Sequence, residues 1–181
     1  MNAVREAAVA GLFYPEHPAR LRRAVTHLLA RNESTYPGPP PRALIVPHAG
    51  YVYSGDVAAR AYGLLSASRA HVRRVVLLGP AHRVRLAGMA IPSASAFATP
   101  LGRIALDRAG LARIADLPGV VVADDAHRFE HSLEVQLPFL QVVLGTFDLV
   151  PVAVGGAAPE RVAAVVDTLA EQPDTLFVLS S

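Results

Sequence analysis

Short unbroken apolar runs punctuate this chain, and between them apolar positions recur at helical spacing. The runs at 43–46, 74–79, 87–92, 147–154 and 175–179 predict strands, and a shorter one at 120–123 predicts another. Leu21, Val25, Leu28 and Leu29 mark one face of a helix over 18–31, and Leu133, Leu137, Leu140 and Leu144 mark a second beginning near 133. Further helices are predicted at 56–65, with Ser54 or Asp56 as N-cap, at 107–115 and at 159–171. Thr99-Pro100-Leu101-Gly102 predicts a turn into 103–106, a short hairpin outside the main sheet. Pro151 places the 147–154 strand at a sheet edge or bulge, because proline gives no N–H to the ladder. Residues 32–42 carry Pro37, Pro39, Pro40 and Pro41 and read as a stiff linker. Strands alternating with helices indicate an α/β fold: one domain over 1–181, with a mostly parallel central sheet covered by helices on both faces.

Such sheets carry their sites in loops at the carboxyl ends of the strands. Two loops stand out. Pro47-His48-Ala49-Gly50-Tyr51-Val52-Tyr53-Ser54-Gly55 follows the first run, and Pro80-Ala81-His82 follows the second. His48 and His82 are 34 positions apart, the size of one βαβ unit. Both strands of such a unit run the same way, so both histidines emerge at one sheet edge, and with adjacent strands about 4.8 Å apart the two imidazoles can reach a common ion. Neutral imidazole is the commonest metal ligand. His131 and Glu134 form a second group at a helix N-terminus, suited to acid–base work or to support of a ligand from outside. Tyr51 and Tyr53 alternate, so one of them can line the pocket. His17, His27, His71 and His127 read as surface residues.

Composition narrows these readings. The chain has 181 residues, a formal net charge of +2 and no cysteine, and its basic residues are all arginine. No basic stripe interleaved with aromatics is present, which argues against nucleic acid. No apolar stretch is long enough to cross a membrane, and the N-terminus lacks the pattern of a signal peptide. The cytoplasm is the expected compartment. Without cysteine, only a carboxylate, another histidine or water can join two histidines around an ion.

Four motifs together resemble the Memo family, which includes the AmmeMemoRadiSam system protein B. They are Arg5 with Ala10-Gly11-Leu12-Phe13-Tyr14-Pro15, Pro47 to Gly55, Leu78-Gly79-Pro80-Ala81-His82, and Glu130-His131-Ser132-Leu133-Glu134-Val135-Gln136-Leu137-Pro138-Phe139. The closing Val178-Leu179-Ser180-Ser181 fits as well. The resemblance implies a fold similar to class III extradiol dioxygenases, with positions 1–181 matching the N-terminal two-thirds of the family's length. It implies that His48 and His82 belong to a metal site, with iron or copper favoured over zinc, and that a third ligand, often cysteine, lies beyond Ser181. His131 and Glu134 would then shape the pocket or move protons. By the same resemblance the protein is either a metal-dependent redox or dioxygenase-like enzyme, or a binding or adaptor protein that holds a peptide or small acidic ligand in the same cleft. A radical S-adenosylmethionine protein is the partner that the family association implies.

Overall fold

A computed structural model describes residues 3–32, 38–66 and 71–181. The central element is a six-stranded sheet. Its strands are β2 (Ala43–Val46), β3 (Arg74–Pro80), β4 (Met89–Ile91), β7 (Val120–Val122), β8 (Asp148–Val154) and β9 (Thr175–Ser180), in the spatial order β2-β9-β3-β8-β4-β7. All neighbours run parallel except β4 with β8. A separate three-stranded sheet joins β1 (Val4–Arg5), β5 (Ala96–Thr99) and β6 (Gly102–Ala105), the last two forming the predicted hairpin.

One helical layer contains α1 (Pro18–Arg31), α2 (Tyr51–Gly63) and α5 (Leu137–Leu144), which pack on one another. The other pairs α3 (Arg108–Ile114) with α6 (Pro159–Ala170). A short helix, α4 (Asp125–Arg128), lies in the loop before the 3₁₀ turn Glu134–Gln136. This is the predicted α/β fold with helices on both sides of a mostly parallel sheet. The sheet interior is nearly continuous apolar side chain. Val75, Val76, Leu77, Leu149, Val150, Val152, Leu176 and Val178 are wholly buried, as expected of parallel strands covered on both faces. Among the described residues no helix is long and apolar enough to cross a membrane.

Three local predictions need correction. First, β2 and β3 are not neighbours, because β9 lies hydrogen-bonded between them. Second, β8 is an interior strand despite Pro151, which pairs with Leu77 of β3. The Leu149 carbonyl accepts from the Asp107 N–H on the side away from β3. Strand alternation puts the Pro151 nitrogen on that same side, where β4 pairs only with Ala153 and Val154. No ladder bond is therefore missing. Third, α2 begins at Tyr51 rather than near 56, with Gly50 as its N-cap. In the predicted proline linker, 33–37 lie outside the described residues.

Candidate metal centre

The carboxyl ends of β2, β9 and β3 share one edge of the sheet, and the loops leaving β2 and β3 deliver His48 and His82 there. The strand between them ends in a small residue, Ser180. The two rings lean toward each other across it, with centroids 5.2 Å apart. The loop after α4 brings a third ring, His131. Its centroid stands 4.7 Å from that of His82 and 5.6 Å from that of His48. One ring nitrogen from each histidine falls within 4.8 Å of the other two, so His48, His82 and His131 could hold a metal ion. Metal–nitrogen bonds are about 2.0–2.1 Å, which puts two nitrogens on one ion at most about 4.2 Å apart, so the rings would close in around an ion.

The surroundings decide which nitrogen each ring offers. The Ser180 hydroxyl donates to the Ser132 carbonyl at 2.7 Å and accepts from Gln136 Nε2 at 3.0 Å. Its oxygen, 3.1 Å from His48 Nδ1, is left as an acceptor, so His48 carries its proton on Nδ1 and frees Nε2. His82 Nδ1 stands 2.9 Å from Glu130 Oε1, which fixes the same tautomer and again frees Nε2. His131 Nδ1 lies 3.3 Å from that same oxygen, outside good hydrogen-bond geometry. This carboxylate–histidine arrangement orients metal ligands in many sites.

Glu130 is 1 % exposed. It also accepts from the backbone N–H groups of His82 at 2.6 Å and of His131 and Ser132 at 2.9 Å. Burial alone would raise its pKa. The hydrogen bonds from the His82 ring and from the His82 and Ser132 amides outweigh burial and bring the carboxyl down to about 2. Burial lowers His48, and the neighbouring His82 and His131 lower it further. Burial also lowers His131, against the opposing pull of Glu130. Both rings are thereby favoured as neutral ligands.

Close packing holds the loops in place. A Cβ on Gly79 would fall 2.8 Å from Ser132 Oγ and 2.9 Å from Leu133 Cδ2. Only glycine lets the end of β3 approach the 131–134 turn this closely. Ser132 Oγ donates to the Pro80 carbonyl at 2.8 Å, which ties the turn to the loop carrying His82. Phe13 covers His131 with centroids 4.8 Å apart.

Other predicted site residues lie elsewhere. Glu134 is fully buried and faces away from solvent chemistry. It pairs with Arg5, accepts from the Tyr14 hydroxyl, and accepts from the Ala8 and Val9 amides at 2.8 and 3.0 Å. It anchors the N-terminal segment rather than lining the cleft. Tyr51 and Tyr53 sit on a helix, so strand-like alternation does not apply to them. Tyr51 turns its hydroxyl to the Val135 carbonyl at 2.8 Å and packs against Phe139, whereas Tyr53 is 87 % exposed. His127, expected at the surface, is 1 % exposed. Glu130 and Ser180 are the residues that sequence reasoning passed over as orienting groups. The only sequence signal for Glu130 was its place beside His131.

A cavity of about 460 Å³ opens beside His48 over the strand ends, lined by Leu78, Pro80, Val154, Val162, Leu179 and Ser180 among others. An α/β sheet with three convergent imidazoles at its carboxyl edge and a buried carboxylate behind them defines a candidate metal-binding protein of the open-sheet class. Residues 5–181 match the family described as Memo-like protein. The chain is 37% identical over 192 residues to a MEMO1 family protein of Ignicoccus hospitalis, covering 98% of this chain and 67% of the relative. It is 37% identical over 180 residues to a MEMO1 family protein of Sulfolobus acidocaldarius, covering 93% and 62%. It is also 37% identical over 183 residues to the protein memo-1 homolog of Caenorhabditis elegans, covering 98% and 51%. The chain belongs to the Memo-like family, and it spans about half to two thirds of the length of these relatives.

Proposed function

We propose that this protein is a metal-dependent redox protein. His48, His82 and His131 would form the protein's side of the ion site, and a small substrate would enter through the cavity beside His48. The observation that carries this reading is the convergence of three imidazole nitrogens on one point, with the opposite ring nitrogens of His48 and His82 already held by Ser180 and Glu130. Imidazole suits copper, iron and zinc, and the family resemblance favours iron or copper.

A redox-active ion bound there would supply Lewis acidity and an electron-transfer centre. The protein's own contribution is orientation. Glu130 holds the His82 ring and the backbone at His131, and Ser180 holds the His48 ring, so two of the three ligands are oriented before an ion arrives. An ion held by these three imidazoles would still take at least one further ligand or a substrate. The apolar walls formed by Leu78, Pro80, Val154 and Leu179 favour a substrate with an apolar body.

The test is oxygen uptake by the metal-loaded protein with catechols and with reductants such as ascorbate, compared with His48→Ala and His131→Ala. Uptake that needs both the metal and the histidines supports the redox reading. A protein that binds metal through these residues yet consumes no oxygen or peroxide with any of these compounds would instead be a binding protein, with the same cleft taking a peptide or small acidic ligand.

A further inference from the structure

The chain has no tryptophan and no cysteine, so tyrosine is the side chain that gives up one electron most readily. Tyr36 lies outside the described residues, and Tyr53 is exposed. The other three tyrosines form one cluster on and beside α2. The Tyr14 and Tyr51 rings have centroids 5.6 Å apart. Tyr51 meets Phe139 at 5.0 Å, and Phe139 stacks on Tyr62 at 5.1 Å. Phe13, which precedes Tyr14, covers His131, and its carbonyl accepts from the Tyr51 N–H at 2.8 Å. The aromatic cluster therefore starts against one ring of the histidine centre.

The three hydroxyls differ in what accepts their protons. Tyr51 donates to the Val135 carbonyl and Tyr62 to the Gln136 side-chain oxygen, each at 2.8 Å. An amide oxygen accepts a hydrogen bond but is too weak a base to take the proton. Of the three, only Tyr14 donates to a carboxylate, that of Glu134. Tyr14 is 4 % exposed and Glu134 is wholly buried, so this proton has a fixed acceptor away from water. Burial, and after it the Glu134 charge, raises the pKa of the Tyr14 phenol. The phenol therefore does not ionise near neutral pH, and its proton leaves only together with an electron.

We propose that Tyr14 is a one-electron donor to the histidine centre, with Glu134 as its proton acceptor. This rests on the redox reading of that centre. Reduction of hydrogen peroxide to two waters takes two electrons and two protons. The reduced ion gives one electron, Tyr14 gives the second, and solvent gives both protons. As the electron leaves Tyr14, the phenolic proton moves along the existing hydrogen bond to the Glu134 carboxylate, and a neutral tyrosyl radical remains. Arg5 then keeps its hydrogen bonds to the His127 and Glu130 carbonyls. An electron from an external reductant reverses both moves. Tyr51 and Tyr62 hold the radical less well, because their partners take no proton.

Two arms test this on the full chain, both in a background carrying Tyr36→Phe and Tyr53→Phe. In the first, iron(II)-loaded protein is mixed with hydrogen peroxide and freeze-quenched. In the second, metal-free protein is oxidised by flash-generated ruthenium(III) tris-bipyridine. Electron paramagnetic resonance reads the tyrosyl radical, and infrared difference spectroscopy reads a newly protonated carboxyl. The radical is expected in both arms, together with the carboxyl band. It should fall at least about ten-fold in Tyr14→Phe and persist in Tyr51→Phe and Tyr62→Phe, since a charge-assisted hydrogen bond is roughly twice as strong as a neutral one. His48→Ala should remove it from the first arm only. Fluorination of the Tyr14 ring keeps the hydroxyl and alters the hyperfine pattern, so it decides the assignment if Tyr14→Phe does not fold. Peroxide consumed with no radical on Tyr14 would overturn the proposal and leave the redox reading standing. A Tyr14 radical in the flash arm, with peroxide untouched in the first, would overturn the redox reading and the donor role with it. A radical that ignores both changes at Tyr14, or that forms without the carboxyl band, would overturn the pairing of Tyr14 with Glu134.

Discussion

Replacing Glu130 by glutamine keeps the size of the side chain and removes its charge. In the structure Oε1 accepts from the His82 ring and from the His131 and Ser132 amides, while Oε2 accepts from the His82 amide. A glutamine has one acceptor oxygen and one NH₂ group. Placed to serve the three donors at the Oε1 position, its NH₂ faces the His82 N–H, and two donors are left opposed in a buried place. A lost hydrogen bond to a charged group costs about 1.5–3 kcal/mol, so the metal-free variant should lose roughly 2–3 kcal/mol of stability. The His82 ring also loses the charge that orients it. Removing such an outer partner of a metal-binding histidine lowers affinity by about 10–100-fold. Urea unfolding of the metal-free protein reads the first effect, and competition with a chelator of known affinity reads the second. Unchanged stability and unchanged affinity together would refute this role for Glu130. Lost stability with unchanged affinity would show that the carboxylate holds the loop without orienting the ligands.

Glu134→Gln breaks a buried ion pair with Arg5 and should cost about 3–5 kcal/mol; metal bound per folded chain, measured by elemental analysis, should not change. Gly79→Ala forces a Cβ against Ser132 and Leu133 and should lower stability by about 1–3 kcal/mol, with weaker metal binding because the loop carrying His82 shifts; thermal unfolding and chelator competition check both. Burial lowers His127 to about 4 from the ordinary 6.5, so the unfolded chain binds more protons than the folded one between those values. Stability should therefore fall as pH drops from about 6.5 to 4, by about 3 kcal/mol for this group. Glu130, lowered from 4.5 to about 2, extends the loss to still lower pH; urea midpoints across this range, with His127→Asn flattening the upper part, test the assignment.

Strands and helices were legible because buried parallel strands read as unbroken apolar runs and the helices keep a one-sided stripe. The strand order was not. Nothing local in Thr175–Ser180 says that β9 inserts between β2 and β3; that choice is made by tertiary pairing. His48 and His82 still meet, for a different reason from the one their spacing suggested: both lean across the small side chain of Ser180. His131 was visible as a candidate but its role was open, since a ligand and an outer-shell histidine look alike until distances are known. Glu134 misled because a carboxylate three residues from a site histidine also suits a cleft. The fold instead turns it inward, where Arg5 and Tyr14 neutralise its burial. Tyr53 shows the effect of a wrong period: once α2 starts at Tyr51, helical rather than alternating geometry decides which ring is buried.

The most direct measurement is the stoichiometry of iron(II) or copper on the purified protein, titrated under a chelator and repeated for His48→Ala, His82→Ala and His131→Ala. One tightly held ion per chain, weakened in all three variants while each stays folded, is the predicted result. Metal bound equally by all four proteins, or retained only in His131→Ala, would contradict a centre built from these three histidines.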